Sequence, residues 1–226
     1  MAEKIKYITF DCYGTLIDWK KGIEENFSKY FSSSVRNEDI FSRYVTIEAR
    51  EESNYKPYIQ VLAETSILLA DSLGIRVSED DSRGPLFASS ITQWPPFPDT
   101  FNALKELGDL GYTRVILSNV DTELLKKTIE NNLLEVDSFI TAQQIGSYKP
   151  AEKHWLEFFE RYGAEKGETI HVAGSMYHDI IPARKLGLKT VWVNRYGKKE
   201  QPTSNDPDWT VSSLSEVSTI LSNRLR

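Results

Sequence analysis

The sequence holds a single cysteine, Cys12, among 226 residues. One thiol makes neither an intrachain disulfide nor a cysteine zinc site, which points to a reducing compartment and a cytoplasmic chain. No run approaches the ~18 apolar residues that span a bilayer. The opening residues Met1-Ala2-Glu3-Lys4-Ile5-Lys6 alternate charged and apolar character, unlike a secretory signal. Positive charge is not in excess either: 27 Lys and Arg face 33 Asp and Glu, for a net charge of -6. That balance disfavours nucleic acid and anionic membranes as partners, because phosphates attract Lys and Arg. Internal repeats and low-complexity tracts are missing as well. What is present is core material: 40% hydrophobic and 12% aromatic residues exclude disorder of the whole chain. At roughly 150 residues per domain, the length allows one large domain or a main domain with an insert.

Strand and helix patterns alternate over most of the chain. Ile5–Phe10 is a short β-branched and aromatic run that reads as a strand, broken at Gly14. From residue 99 onward come a helix with Phe101, Leu104, Leu107 and Leu110, a strand Arg114–Leu117, a helix through Leu124, Leu125 and Ile129, and a strand Ser138–Thr141. A helix carrying Trp155, Phe158 and Phe159 follows. After it the pattern gives a strand Thr169–Ala173, a helix from Asp179 to Leu186, strands Thr190–Val193 and Trp209–Val211, and a last helix from Leu214 to Leu221. This order implies βαβ crossovers, hence an α/β fold with a mostly parallel sheet flanked by helices.

Residues 17–93 break the alternation. Phe41–Tyr55 and Tyr58–Leu73 look helical, Ser78–Pro85 is a polar connector or helix cap, and Trp94–Pro98 is extended because each proline disfavours the α region before it. The simplest division is a core of residues 1–16 and 94–226 with a helical cap, 17–93, inserted after the first strand. The cap's aromatics (Tyr55, Tyr58, Phe87, Trp94) make either its own core or a homodimer face.

Four segments end strands with polar chemistry: Asp11/Tyr13/Thr15, Ser118-Asn119, Lys149-Pro150 and Ser175/Asp179. Parallel neighbouring strands would bring them to one crevice, at the carboxyl ends where open α/β sheets bind ligands. There a carboxylate can be a nucleophile and a lysine can keep it ionised. Hydroxyls and an amide can hold a small carboxylate, and a second carboxylate can orient the lysine or a water. Each piece alone reads as a cap or turn; the order and spacing of all four carry the signal.

Asp11-x-Tyr13-Gly14-Thr15-Leu16, Leu117-Ser118-Asn119, Ser147-Tyr148-Lys149-Pro150 and Ser175 to Asp179 together resemble the haloacid dehalogenase superfamily, over nearly the whole chain. The resemblance implies a Rossmann-like core with a cap. Its phosphatases carry Asp two residues after the nucleophile, to protonate a leaving alkoxide, and an Asp magnesium ligand in the fourth motif. This chain has Tyr13 and Gly174 there, which fits the L-2-haloacid dehalogenase branch, a halide leaving group and metal-independent chemistry without a cofactor. The implied roles are Asp11 as nucleophile, Thr15 aiming it, Lys149 keeping it ionised and Asp179 holding Lys149. The small 2-substituted carboxylate would meet Ser118, Asn119, Ser175, Tyr13 and the backbone N–H groups at Cys12, with Trp155 and His178 in the pocket wall. The cap arginine that faces the leaving group in this branch would be Arg43, or failing it Arg50.

The fourth motif departs from the dehalogenase pattern: Met176 replaces an asparagine and His178 a tryptophan. Together with Asp11–Trp19, Trp94-Pro-x-Phe-Pro-Asp-Thr100 and Ile140–Gln143, it is similar to L-azetidine-2-carboxylate hydrolases, where the same displacement at C2 opens a strained ring. Acidic cap residues such as Glu48, Glu51 or Glu52 would then meet the ammonium. A phosphatase and a non-catalytic binder of small acids are the remaining alternatives.

Overall fold

The computed structural model describes residues 4–32, 35, 37–78, 80–199 and 204–222. Six parallel strands form one sheet in the order β3-β2-β1-β4-β5-β6. They are β1 (Tyr7–Phe10), β2 (Thr113–Ser118), β3 (Ser138–Thr141), β4 (Thr169–Ala173), β5 (Lys189–Val193) and β6 (Trp209–Val211). The strands are buried on both sides, so they read as near-continuous apolar runs. Alternate residues supply opposite faces: Ile116 packs with Ile8 and Phe10 on one side, while Val115 and Leu117 join Ile140, Trp155 and Phe158 on the other.

The chain leaves β1 toward β2 and β3 on one side, then crosses back to place β4 on the other. The order therefore reverses at β1, and the crevice beyond the carboxyl ends of β1 and β4 is the site that open α/β sheets use for ligands.

Helices α1 (Trp19–Tyr30), α2 (Asn37–Glu51), α3 (Tyr58–Ser72) and α4 (Arg83–Ser90) follow β1. α1 and α4 are helices that the sequence patterns did not single out, and α2 begins earlier than its apolar periodicity predicts. α3 turns Val61, Leu62, Thr65, Leu69 and Ala70 inward and packs on α4 and α2. Tyr58, Phe87 and Trp94 belong to the core, and Tyr55 alone of the four cap aromatics is exposed. Gly22 is required where α1 crosses Trp94, since a Cβ there would lie 2.4 Å from the indole ring.

Trp94 is extended, as the prolines after it predict, and Ile17 pairs with Pro96 where the chain returns to the sheet. The sheet is completed by α5 (Thr100–Asp109), α6 (Thr122–Asn131), α7 (Ala142–Ile145), α8 (Lys153–Tyr162), α9 (Ile181–Lys185) and α10 (Leu214–Ser222). The expected helix from Asp179 begins instead with a π-helical turn, Met176–Ile180, ahead of α9. Such single turns recur at functional sites. Among the described residues no helix is long and apolar enough to cross a membrane.

Candidate active site

Asp11 is the first residue beyond β1, and its N–H donates to Val172 of β4 at 3.1 Å. The next turn is closed by the Cys12 carbonyl, which accepts N–H bonds from Thr15, Leu16 and Ile17 at 3.2, 2.8 and 3.0 Å. That turn brings Thr15 back over Asp11: its hydroxyl donates to Asp11 Oδ2 at 2.8 Å and accepts from the Gly174 N–H at 2.8 Å. A Cβ on Gly174 would lie 2.5 Å from the Gly14 carbonyl, so only glycine lets the loops after β1 and β4 meet this closely.

Lys149 arrives from beyond β3 and α7, fully buried, and donates from Nζ to Asp11 Oδ1 (2.9 Å), Asp179 Oδ1 (2.6 Å) and the Leu117 carbonyl (2.8 Å). All three ammonium protons are therefore used. Burial alone would push the lysine's pKa down, but the two carboxylates hold it above its ordinary value. Burial raises the Asp11 carboxyl, against which the Lys149 charge and the Thr15 hydroxyl pull it back. Burial also opposes ionisation of Asp179, yet Lys149 and His171 hold that carboxyl well below the usual range.

The predicted residues Asp11, Thr15, Lys149 and Asp179 thus stand in one hydrogen-bonded cluster. It opens on a cavity of about 430 Å³, within the size range of small-molecule sites. Ser118, Asn119, Tyr13, Ser175 and His178 line that cavity, as expected. Asn119 has a narrower role than predicted. Its amide clasps the Lys149 backbone, donating to the carbonyl at 3.1 Å and accepting from the N–H at 2.6 Å, so it positions the lysine. Tyr13 donates to or accepts from Thr128 at 2.7 Å.

Two expectations are corrected. Arg43 is exposed and donates to the Ser72 carbonyl at 3.4 Å, on the far face of α2; Arg50 is exposed too, and neither lines the cavity. Helical phase explains it, because the cavity face of α2 carries Phe41, Val45, Glu48 and Ala49, spaced by three and four residues, with Glu52 just past its end. Trp155 lies beneath the sheet, fully buried, with its ring edge-on to His171 at 5.2 Å. The Cys12 side chain faces the core, where burial raises its thiol pKa well above the ordinary value, so only its backbone stands at the strand end.

Several site residues had no place in the sequence reading. His171, in mid-β4, contacts Asp179 Oδ1 through Nε2 at 3.2 Å and Thr9 Oγ1 through Nδ1 at 2.9 Å. Thr9 and His171 are register partners in β1 and β4, and two polar residues within apolar strands were the available signal. His154 reaches the Ser118 carbonyl through Nε2 at 3.1 Å; burial, aided by the Lys149 charge, pushes its pKa down to about 3, so it is neutral. Arg195 is the arginine that does line the cavity, donating to the Thr15 carbonyl at 3.2 and 2.8 Å and to Asp99.

A magnesium ion would need oxygen donors that this cluster lacks. Lys149 Nζ already occupies Oδ1 of both Asp11 and Asp179, Gly174 offers no side chain, and the described residues hold no group of three or more His, Cys, Asp or Glu able to hold a metal. The residues present do not fit the ion.

The sequence model of the hydrolase family described as haloacid dehalogenase-like hydrolase matches residues 5–187. The chain belongs to this family. Relatives that match along the full length include haloacetate dehalogenase H-2 of Moraxella sp. (strain B), 24% identical over 95% of this chain and 97% of the relative. Another is (S)-2-haloacid dehalogenase 4A of Burkholderia cepacia, 25% identical over 100% and 98%. Among solved structures, L-2-haloacid dehalogenase from Xanthobacter autotrophicus with chloropropionic acid covalently bound superposes with a TM-score of 0.85 at 20% identity, covering 96% of this chain and 98% of that one. The likeness in fold therefore covers 96% of the chain rather than the sheet domain alone.

Proposed function

We propose that the protein is a hydrolase that displaces the C2 substituent of a small carboxylic acid through an ester on Asp11, with L-2-haloacids as the leading substrate class. The observation that carries this reading is Asp11 itself. One of its oxygens is held by Lys149 and the other by Thr15, it lines the cavity, and Tyr13 stands where a phosphatase needs an acid. The Tyr13 phenol is no substitute for that acid, since burial raises its pKa well above the ordinary value.

An Asp11 oxygen attacks C2 from the face opposite the halogen, the C–halogen bond breaks, and the halide departs with its electron pair. A halide needs no proton, so the missing acid costs nothing here. Water then attacks the Asp11 carboxyl carbon, freeing Asp11 and a 2-hydroxy acid of inverted configuration. Lys149 offsets the carboxylate charge throughout. Ser118 and Ser175 offer hydroxyls to the substrate carboxylate. The Trp19 indole lines the cavity from α1, and its N–H has no hydrogen-bond partner among the described residues, which suits a halide. Helices α1–α4, within the span 17–93, are the lid over this chemistry.

A second reading is favoured by one feature of the lid: it presents Glu48 and Glu52 to the cavity, whereas the dehalogenase resemblance of the sequence implied a cap arginine there. Burial pushes Glu48 up to about 7, and burial next to Glu48 pushes Glu52 up to about 9. A cationic substituent entering between them would draw off those protons and be held by the carboxylates. The ring nitrogen of L-azetidine-2-carboxylate is such a substituent, and ring strain would drive its departure from C2.

The test is halide release from L-2-chloropropionate, with and without EDTA, beside incubation with L-azetidine-2-carboxylate and detection of a hydroxy amino acid. EDTA-insensitive halide release supports the first reading, and ring opening alone supports the second. Magnesium-dependent hydrolysis of p-nitrophenyl phosphate with neither of these would overturn both.

A further inference from the structure

Two polar residues stand within strands that are otherwise mostly apolar. Thr9 of β1 and His171 of β4 are register partners, and both are fully buried. Burying a hydroxyl and an imidazole costs free energy unless both are hydrogen-bonded, and an aliphatic pair would serve the sheet without that demand. The two are bonded to each other, His171 Nδ1 to Thr9 Oγ1 at 2.9 Å, and the other ring nitrogen, Nε2, reaches Asp179 Oδ1 at 3.2 Å. Trp155 fixes the ring from a third side, edge-on at 5.2 Å.

Asp179 rides on the π-helical turn Met176–Ile180, and its side chain is fixed there by two donors. Lys149 Nζ, at 2.6 Å, and His171 Nε2 both meet Oδ1. An ionised carboxylate has no proton to give, so Nε2 carries a hydrogen and donates it. With both donors on Oδ1, Oδ2 is left to the cavity that Asp179 lines. Asp11 binds the same ammonium at 2.9 Å, which sets the two carboxyl groups side by side. Hydrolysis of an Asp11 ester requires a water to lose a proton as it attacks, and Asp179 is the ionised carboxylate beside that ester.

We propose that His171 is a positioning residue for the hydrolytic half of the reaction: braced by Thr9 and Trp155, its Nε2–H pins Asp179 Oδ1 beside Lys149 and so aims Oδ2 at the water that attacks the Asp11 ester. The inference rests on the covalent reading above and adds a residue to its second half. Water gives a proton to Asp179 Oδ2 as its oxygen bonds to the Asp11 carboxyl carbon. When the tetrahedral intermediate collapses, the bond from that carbon to the substrate oxygen breaks, and the departing oxygen takes the proton from Asp179. Asp11, left as a carboxylic acid beside Lys149, releases its own proton to solvent, and both carboxylates are restored. The ring N–H also lowers the basicity of Asp179, so its contribution is aim rather than base strength. Aim is the larger effect, since a misplacement of an ångström can cost about 100-fold in rate.

The experiment is a single turnover by excess enzyme of L-2-chloropropionate, or of L-azetidine-2-carboxylate where ring opening is the reaction found. Formation and decay of the Asp11 ester are followed by rapid quench and intact-protein mass. His171→Leu, which suits an apolar strand, is expected to form the ester at the wild-type rate and to hydrolyse it about 100-fold more slowly. His171→Gln, whose amide places an N–H where Nε2 stands, is expected to bring hydrolysis back to within about tenfold of wild type. A general loss of structure would slow both halves and would not be rescued by glutamine. Ester decay at the wild-type rate in His171→Leu, equal slowing of both halves, or a glutamine variant no faster than the leucine one overturns the positioning role while leaving the covalent reading standing. A wild-type enzyme that forms no ester with either substrate overturns the covalent reading, and this inference with it.

Discussion

Lys149 joins more of the site than any other single residue: one ammonium binds two carboxylates and the end of β2, with Asn119 gripping its backbone. Removing one member of a buried charge group leaves the others uncompensated, which is far costlier than losing a surface pair. Lys149→Met is therefore expected to abolish turnover and to lower unfolding stability by about 3 kcal/mol, read from urea denaturation at pH 7. An unchanged midpoint would mean that Asp11 and Asp179 are not held together as described. Gly174 gives a second prediction at this scale. The fourth motif invites Gly174→Asp as a way to restore a magnesium ligand, but its Cβ would meet the Gly14 carbonyl at 2.5 Å and displace the Thr15 contact. The expected outcome is loss of the parent activity with no gain of magnesium-dependent phosphatase activity. Residues at strand ends were legible in the sequence because a polar residue after an apolar run is conspicuous. His171 and His154 were not, because their partners, Asp179 and the Ser118 carbonyl, come near only through tertiary packing.

Among the elements, α3 meets the core in an informative way. Its own N-cap position, Pro57, has no side-chain hydrogen bond to offer. The cap comes from across the site: Asp121, which precedes α6, accepts the N–H groups of Tyr58 and Ile59 at 3.0 and 2.8 Å. A carboxylate at a helix N-terminus also meets the positive end of the macrodipole. Tyr148 adds a bond from its hydroxyl to the Lys56 carbonyl at 2.5 Å, so the start of α3 is tied down beside Lys149. Asp121→Ala is expected to cost about 1 kcal/mol and to loosen the α3 terminus, seen as faster hydrogen exchange at Tyr58 and Ile59 than in the wild type. Exchange unchanged at those two amides would rule out the cross-cap. Local pattern offers Asp121 only as a cap for α6, which it directly precedes, since the partners it does hold lie more than 60 positions away. The same limit explains Arg43. The apolar periodicity revealed α2 as a helix, but which face met the cavity depended on how the helix seats against its neighbours. The parallel sheet was legible because strand–helix alternation implies βαβ crossovers; α1 escaped notice although Trp19, Ile23 and Phe27 recur at helical spacing, and α4 is only eight residues with Gly84 and Pro85 in its first turn.

At the scale of the whole molecule, a chain of net charge -6 gathers Lys149, Arg195 and Lys198 around a cavity that also holds Glu48 and Glu52. Such an arrangement makes stability depend on pH in opposite directions. Asp179 has a depressed carboxyl pKa in the fold, so its contribution is present above the ordinary aspartate value and is lost as pH falls below it. Glu48 behaves in the reverse sense. It accepts bonds from Tyr44 and Tyr58 at 3.2 and 2.6 Å, yet burial still raises it from 4.5 to about 7. Between those values the folded chain keeps a proton that the unfolded chain gives up. Stability from this group is therefore full below about pH 4.5 and lost as pH rises through 7. Glutamine keeps an oxygen for both tyrosines and cannot ionise. Glu48→Gln should thus be indistinguishable from wild type near pH 4.5 and more stable at pH 8, by at most about 3.5 kcal/mol at roughly 1.4 kcal/mol per pKa unit. The check is guanidinium denaturation of both proteins across pH 4.5 to 8. A difference that stays flat over that range, or that favours wild type at pH 8, would mean that Glu48 is ionised at little cost and that the lid carries its full negative charge over Asp11.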